Sequence, residues 1–329
     1  MCIRDSGYVN QGWSSKKNSE KATAKAKCTV NKNITLYAVQ KKAVQLTFHR
    51  CDGSTWQKTT LAKGSSYSLP GVRDAEGYTF MGWSTKPMQS VSPQYEAEEK
   101  ITVNGNVDLY AVVFNRTTET DLTEDQLPQV DIYKYKQVIF VGDSRTEFME
   151  NVLTGMGESA TKNVKFVCSA GKGLDWFTTT GWAQLYSIVQ HDSNSILSKK
   201  TAVIFNFGVN DLSKSADYAE YYNWIAPQLK SKGCELYFMS VNPVNRLMLP
   251  NAGRADRSEA AVRSFNQYMK ANLSSAYTYI DMYSYLKSTG YSFASDHYGT
   301  GTVDDGLHYT TRTYKRIFAK CMDSLRVPA

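Results

Sequence analysis

An α/β fold is what this sequence predicts: a mainly parallel sheet of about five strands with helices on both faces, preceded by small β domains. Three observations predict it. From Tyr133 onward, short apolar runs alternate with amphipathic stretches, the pattern of repeated βαβ units. The first third of the chain instead repeats itself at a spacing of about seventy residues, which marks a tandem of small domains. Between the two textures lies a stretch rich in acids and hydroxyls with no periodicity.

At 329 residues the chain is long enough for two or so domains, and its 42% hydrophobic content supplies packed cores. No apolar stretch is long enough to cross a bilayer. The opening Met1-Cys2-Ile3-Arg4-Asp5-Ser6 carries no apolar signal region. Charge is uneven. Residues 1–48 hold nine Lys/Arg against two acids, an excess that equals the whole net charge of +7, so the rest of the chain is neutral. Such a run is a solvated basic face, with an anionic cell-wall polymer as a possible partner. Nucleic acid is not expected as a partner. Six cysteines show no CxxC and no Cys/His ligand spacing, which argues against a zinc site. Cys168 and Cys234 fall in or beside apparent core strands and read as small buried hydrophobes.

Within the first third, Gly12-Trp13-Ser14-Ser15-Lys16 matches Gly82-Trp83-Ser84-Thr85-Lys86. The segment Thr29–Val39, ending Leu36-Tyr37-Ala38-Val39, likewise matches Thr102–Val112, ending Leu109-Tyr110-Ala111-Val112. The second copy is whole, with a strand at Val44–Phe48, turn residues Asp52-Gly53-Ser54 and another strand at Tyr78–Trp83. The first copy lacks its opening strand, so the natural protein is expected to extend upstream. These segments resemble the Listeria–Bacteroides repeat, the B repeat of internalin-like surface proteins. That resemblance implies small β-grasp-like domains and an extracellular or bacterial cell-surface location. Trp13, Trp83, Tyr37 and Tyr110 are expected as core anchors. The expected boundaries are a partial repeat at 1–42, a complete repeat at 43–115, a linker at 116–135 and a catalytic domain at 136–329.

In the last of these, strands are expected at Val138–Val141, Val164–Cys168, Ala202–Phe207, Leu236–Val241 and Tyr277–Ile280. Helices are expected at Thr146–Met156, in pieces over Leu174–Gln190, at Ala216–Lys230, at Arg257–Leu273 and at about Thr310–Leu325. Tyr218, Tyr221, Tyr222, Ile225 and Leu229 form one stripe of the third.

The carboxyl ends of parallel strands are where chemistry collects. Gln137-Val138-Ile139-Phe140-Val141-Gly142-Asp143-Ser144-Arg145 reads as a strand, a tight turn and a helix start, with Ser144 at the mouth of the turn. A serine hydroxyl becomes a useful nucleophile when an imidazole takes its proton and a carboxylate orients that imidazole. Of the four histidines, His49 lies in the repeat and His191 at the amino end of the sheet. His308, in Asp305-Gly306-Leu307-His308, sits in a turn-rich loop before the last helix, where Asp305 can hold one ring nitrogen. His297, beside Asp296, is the rival base. Asn210, in Gly208-Val209-Asn210-Asp211, offers an amide donor for an oxyanion. Ser169-Ala170-Gly171-Lys172-Gly173 offers glycines whose backbone N–H can approach closely, and the N–H of Ser144 is a third donor.

Plainer uses exist for each residue. Asp143 can cap the following helix, and Asp211 can do the same after its own strand. Asn210 can be a turn residue and His308 a surface histidine. The Gly142–Arg145 turn alone can form an anion nest, which leaves Asp305 and His308 without a role.

Together, Gly142-Asp143-Ser144-Arg145, the glycine after the second strand, Gly208-Val209-Asn210-Asp211 and Asp305-Gly306-Leu307-His308 resemble the four blocks of the SGNH hydrolases, the GDSL-like esterase and lipase superfamily. The resemblance covers residues 136–329 and implies a three-layer, flavodoxin-like domain. It implies Ser144 as nucleophile and oxyanion donor, Gly171 and Asn210 completing the oxyanion hole, and Asp305 with His308 as the other triad members. Gly171 is preferred to Gly173 because Ser169-Ala170-Gly171 matches the family's run of small residues. One departure is Arg145 in place of the family's leucine, which is expected to put a cation near the site.

The expectation is a secreted or surface-attached serine esterase that removes a small acyl group, acetyl above all, from a carbohydrate. It needs neither metal nor organic cofactor, and Trp176, Trp182 and Tyr309 could form a sugar-stacking wall, though core packing explains the tryptophans equally well. Alternatives are an acyltransferase acting on cell-surface glycan and a non-catalytic glycan-binding or adhesion protein.

Overall fold

The computed structural model describes residues 7–24, 29, 31–131, 134–192, 200–295 and 304–325. The chain divides into two compact units. One comprises Met1–Pro70, Gly82–Gln89 and Pro93–Val112, the other Gly71–Met81, Ser90–Ser92 and Val113–Ala329.

The N-terminal strands are β1 (Tyr8–Ser14), β2 (Tyr37–His49), β3 (Thr55–Ala62), β4 (Ser65–Ser68), β5 (Tyr78–Ser84), β6 (Lys100–Val103) and β7 (Val107–Asn115). They form a sheet in the order β1-β2-β7-β5 with β3 also on β2, plus the β4-β6 pair. β2 runs without interruption from the Tyr37-Ala38-Val39 of the first copy into the Val44–Phe48 of the second. Its alternation places Val44, Leu46 and Phe48 in the core. Trp83 is fully buried and its indole N–H donates to the Pro70 carbonyl at 2.8 Å, as an anchoring tryptophan requires. Gly82 precedes it at φ 140°, where a Cβ would lie 2.5 Å from the Tyr95 carbonyl oxygen. The Gly-Trp step therefore needs its glycine, and Gly12 repeats the conformation at φ 122°. The other aromatics depart from expectation: Trp13 and Tyr110 are half-buried and Tyr37 is exposed, because they lie on faces that the sheet leaves partly open.

In the second unit, β8 (Tyr135–Gly142), β9 (Val164–Cys168), β10 (Lys200–Asn206), β11 (Cys234–Met239) and β12 (Tyr277–Ile280) form a sheet ordered β12-β11-β10-β8-β9. Every pairing is parallel. Counted along the chain this is the flavodoxin-like order 2-1-3-4-5, with its switch point between β8 and β10. Val138, Ile139, Phe140 and Val141 are wholly buried, as continuous apolar runs in a sheet covered on both faces must be. Each contributes about 1.5–3 kcal/mol by leaving water.

The helices are α1 (Ser144–Thr154), α2 (Glu158–Thr161), α3 (Leu174–Trp176), α4 (Trp182–Asp192), α5 (Ser215–Ser231), α6 (Glu259–Asn272), α7 (Met282–Thr289) and α8 (Thr311–Ser324). A π-helical turn, Phe177–Gly181, joins α3 to α4. The α5 stripe buries Tyr218, Tyr222, Ile225 and Leu229, while Tyr221 stays half-buried. No helix among the described residues is long and apolar enough to cross a membrane.

The structure adds features that the sequence did not announce. α7 is one. Another is an antiparallel pair, β13 (Phe293–Ser295) with β14 (Asp304–Tyr309), where a loop was expected. The segment read as a linker packs within the second unit. Leu127 and Val130 are buried, and the buried Glu119 carboxylate accepts hydrogen bonds from Ser292 Oγ (2.5 Å), Arg316 Nη1 (3.0 Å) and Thr313 Oγ1.

Candidate active site

β8 ends at Gly142, and the chain turns directly into α1. A Cβ on Gly142 would stand 1.9 Å from Thr146 Oγ1 and 3.0 Å from the Asn206 carbonyl oxygen, so only glycine lets the helix start this close to β10. Asp143 is the N-cap, its Oδ1 accepting the Arg145 N–H at 3.0 Å. Burial pushes the Asp143 carboxyl up to about 6, against the opposing pull of that N–H and the Arg145 charge. Ser144 is the first residue of α1, where the backbone N–H has no partner within the helix.

Ser144 Oγ lies 2.9 Å from His308 Nε2, and His308 Nδ1 lies 2.5 Å from Asp305 Oδ2. With Nδ1–H donated to the carboxylate, the Nε2 lone pair faces the serine hydroxyl. Asp305 Oδ1 accepts the N–H groups of Leu307 and His308, both at 2.7 Å. The expected open loop is thus a strand whose turn is closed by the acid's own side chain. Gly306 sits within it at φ 69°, and a Cβ there would meet the Asn245 carbonyl oxygen at 2.6 Å. Gly306→Ala is therefore expected to cost about 1–3 kcal/mol, read as a lower thermal midpoint together with a fall in kcat.

A cavity of about 220 Å³ opens onto this relay, lined by Ser144, Gly171, Asn210 and His308, with Phe148, Arg254 and Arg257 on its walls. Phe148 packs against the His308 ring, centroids 4.5 Å apart. Gly171 lines the cavity, but Gly173 does not. A Cβ on Gly173 would strike the Asp211 carboxylate at 2.4 Å, so that glycine serves close packing. Glu147 Oε2 accepts the Ala170 N–H at 2.7 Å and ties the Gly171 loop to α1. Asn210 Nδ2 donates to the Lys172 carbonyl at 2.8 Å. A primary amide has two such hydrogens, so one remains for the cavity.

Arg145 stands beside the site as expected, and three other readings change. Arg145 is buried, with its guanidinium donating to the carbonyls of Leu307 (3.0 Å), Asn242 (2.9 Å) and Pro243 (2.8 Å). It fastens the strand that carries His308 and does not line the cavity, because a desolvated cation must satisfy its donors. Asp211 precedes the 3-10 turn Leu212–Lys214 but its side chain makes no capping bond there: Oδ2 accepts the Leu174 N–H at 2.9 Å and Oδ1 the Tyr218 hydroxyl at 2.7 Å. Trp176, Trp182 and Tyr309 form no wall at the cavity. The tryptophans pack against the hydrophobic core, and the buried Tyr309 donates its hydroxyl to the Pro243 carbonyl at 2.5 Å. Cys168 is half-buried, its thiol 3.3 Å from Glu150 Oε2, whereas Cys234 is buried. The rival pair Asp296 and His297 lies outside the described residues.

Electrostatics favour a neutral imidazole. Burial lowers the His308 pKa, the Asp305 hydrogen bond and charge raise it, and the Arg145 and Arg254 charges lower it further, leaving it below its ordinary 6.5. For Asp305, burial raises the pKa, but the bond and charge of His308 and the two backbone N–H groups outweigh it and keep the carboxyl ionised. Only the neutral ring can accept a proton, so the acid limb of kcat/KM is expected to bend below pH 6.5. Arg254 Nη2 lies 3.6 Å from Asp305 Oδ2, and Arg254→Gln should move that limb to higher pH. A pH–rate profile of both proteins checks the shift.

Residues 138–321, more than half of the chain, match the model of the GDSL-like lipases and acylhydrolases. The chain belongs to this family. The GDSL-like domain makes it an ester-hydrolysing enzyme, and residues 4–39 and 45–112 match the Listeria-Bacteroides repeat domain. Comparison with curated proteins returned no match. Several solved structures are similar to it, three of them as follows. A presumptive SGNH hydrolase from Slackia heliotrinireducens is 13% identical, with a TM-score of 0.40 over 59% of this chain and 100% of that one. The acetyl xylan esterase AlAXEase is 10% identical, with a TM-score of 0.38 over 58% and 100%. The C-terminal catalytic domain of Streptococcus pneumoniae peptidoglycan O-acetyltransferase A is 16% identical, with a TM-score of 0.35 over 58% and 92%.

Proposed function

We propose that this GDSL-like hydrolase is a secreted or surface-attached serine esterase that removes a small acyl group, acetyl above all, from a carbohydrate. The observation that carries the reading is the unbroken Ser144–His308–Asp305 hydrogen-bond relay at the floor of a cavity. Ser144 Oγ attacks the ester carbonyl carbon while His308 Nε2 takes its proton. The tetrahedral oxyanion is held by the N–H of Ser144, the N–H of Gly171 and Nδ2 of Asn210. Collapse breaks the ester C–O bond, and His308 returns the proton to the departing alcohol. Water, deprotonated by His308, then attacks the acyl-enzyme, and the acid leaves with Ser144 restored.

A small acyl group is supported by the cavity of about 220 Å³, which is below the roughly 300–1,000 Å³ typical of pockets that enclose whole organic ligands. The carbohydrate and the location are supported by the repeats alone. Acetate release tests the acyl group and the carbohydrate. The expected result is acetate from 4-nitrophenyl acetate and from O-acetylated glycans. Hydrolysis of the small ester with no acetate from any glycan removes the carbohydrate part, while acetyl appearing on an added sugar at the expense of acetate makes the enzyme a transferase.

A further inference from the structure

The amide of Asn210 is useful to an oxyanion only in one of its two orientations, and the chain fixes that choice from outside the four sequence blocks. Arg257, just ahead of α6, sends Nε to the Val209 carbonyl at 2.6 Å and Nη2 to Asn210 Oδ1 at 2.8 Å. Its Nη1 donates to the Ala255 carbonyl at 2.9 Å, which holds the guanidinium to its own loop. On the other side, Asn210 Nδ2 meets the Lys172 carbonyl at 2.8 Å. A flipped amide would set its NH₂ against guanidinium donors and its oxygen against a carbonyl oxygen, so both contacts would become repulsive. A cation bonded to Oδ1 also draws electron density from the amide, which makes the remaining N–H a stronger donor.

From this geometry we infer that Arg257 is the positioning residue of the oxyanion hole: it orients and polarises the Asn210 amide that stabilises the transition state. The inference rests on the esterase reading above and extends it to a residue outside the Ser144–His308–Asp305 relay. A competing role is on the same page. Arg257 also walls an adjoining cavity of about 420 Å³, with Asp211, Ser213, Arg246 and Asp256, where it could meet the alcohol half of a substrate. The two roles differ in what they change. Orientation of a transition-state donor acts on kcat, whereas contact with bound substrate acts on KM.

The test is a double-mutant cycle on 4-nitrophenyl acetate with Arg257→Gln, Asn210→Ala and the pair. Arg257→Gln is expected to lower kcat about tenfold with KM within about twofold, and Asn210→Ala to lower kcat roughly 10²–10³-fold. The pair should match Asn210→Ala within about twofold, since the arginine then has no amide to hold. Arg257→Lys keeps the charge but lacks the two-pronged fork, so it should recover little of kcat; it replaces Arg257→Gln in the cycle should that variant not fold. A kcat loss from Arg257→Gln that recurs in full in the Asn210→Ala background overturns the inference. So does an effect confined to KM, or a kcat change under twofold. Should wild type and Ser144→Ala turn over the ester equally, it is the esterase reading that is lost, a result distinct from the other three.

Discussion

Ser144→Ala is expected to abolish ester hydrolysis, lowering kcat roughly 10⁴–10⁶-fold while leaving the thermal midpoint nearly unchanged. The size follows from what the hydroxyl does: without Oγ there is no acyl-enzyme, and water would have to attack directly, assisted only by His308 and the oxyanion donors. The small structural effect follows from placement. Ser144 is the first residue of α1, its side chain is bonded to the His308 ring, and the helix cap is supplied by Asp143. Alanine there preserves the cap and the backbone N–H. Stopped assays with 4-nitrophenyl acetate and a melting curve check both halves. A residual rate within tenfold of wild type would remove Ser144 from the mechanism.

The largest stability effect is expected from a change that would bring the sequence closer to its family. Arg145→Leu restores the commoner Gly-Asp-Ser-Leu, yet in this chain it takes the guanidinium donors from the carbonyls of Asn242 and Leu307 and leaves the Pro243 carbonyl only the Tyr309 hydroxyl. A buried carbonyl without a partner costs about 1–3 kcal/mol, so the two at Asn242 and Leu307 together amount to about 2 kcal/mol or more. For a domain of this size that is roughly 4–8 °C or more in the melting midpoint. The guanidinium also lies over the Tyr309 ring, 5.2 Å from its centroid, and that contact is lost too. Because Leu307 precedes His308, kcat should fall along with stability. A midpoint shift under about 2 °C would show that the Asn242 and Leu307 carbonyls find other partners.

Much of the site was legible before any coordinates. Glycine at 142, the acid–glycine–x–histidine spacing at 305–308 and the amide at 210 are each forced by local geometry: a helix starting against a strand, a carboxylate reaching two backbone N–H groups and its own ring partner, a strand end turning. Gly171 and Gly173 were harder to separate, since two glycines in one loop look alike until one of them is seen against Asp211. The capping use open to Asp211 is not the one its side chain takes, and its partner, Leu174, is 37 residues away. The stacking wall failed for a related reason. Composition shows that a ring is present but not which surface receives it.

What the sequence by itself determined is the succession of five buried strands, the residues proposed as nucleophile, base and acid, and the repeats that precede them, because apolar runs, glycine turns and short spacings are properties of neighbouring residues. Only the tertiary structure decided which side chains hold that chemistry in place. Arg145 reaches carbonyls 97 and 162 residues on, and Arg257 meets an amide 47 residues back. Glu119, in a stretch with the composition of a linker, is buried against Thr313 and Arg316. A long polar side chain has many possible partners along a chain, and its partner is fixed only when the chain closes and desolvation makes an unpaired donor or charge costly.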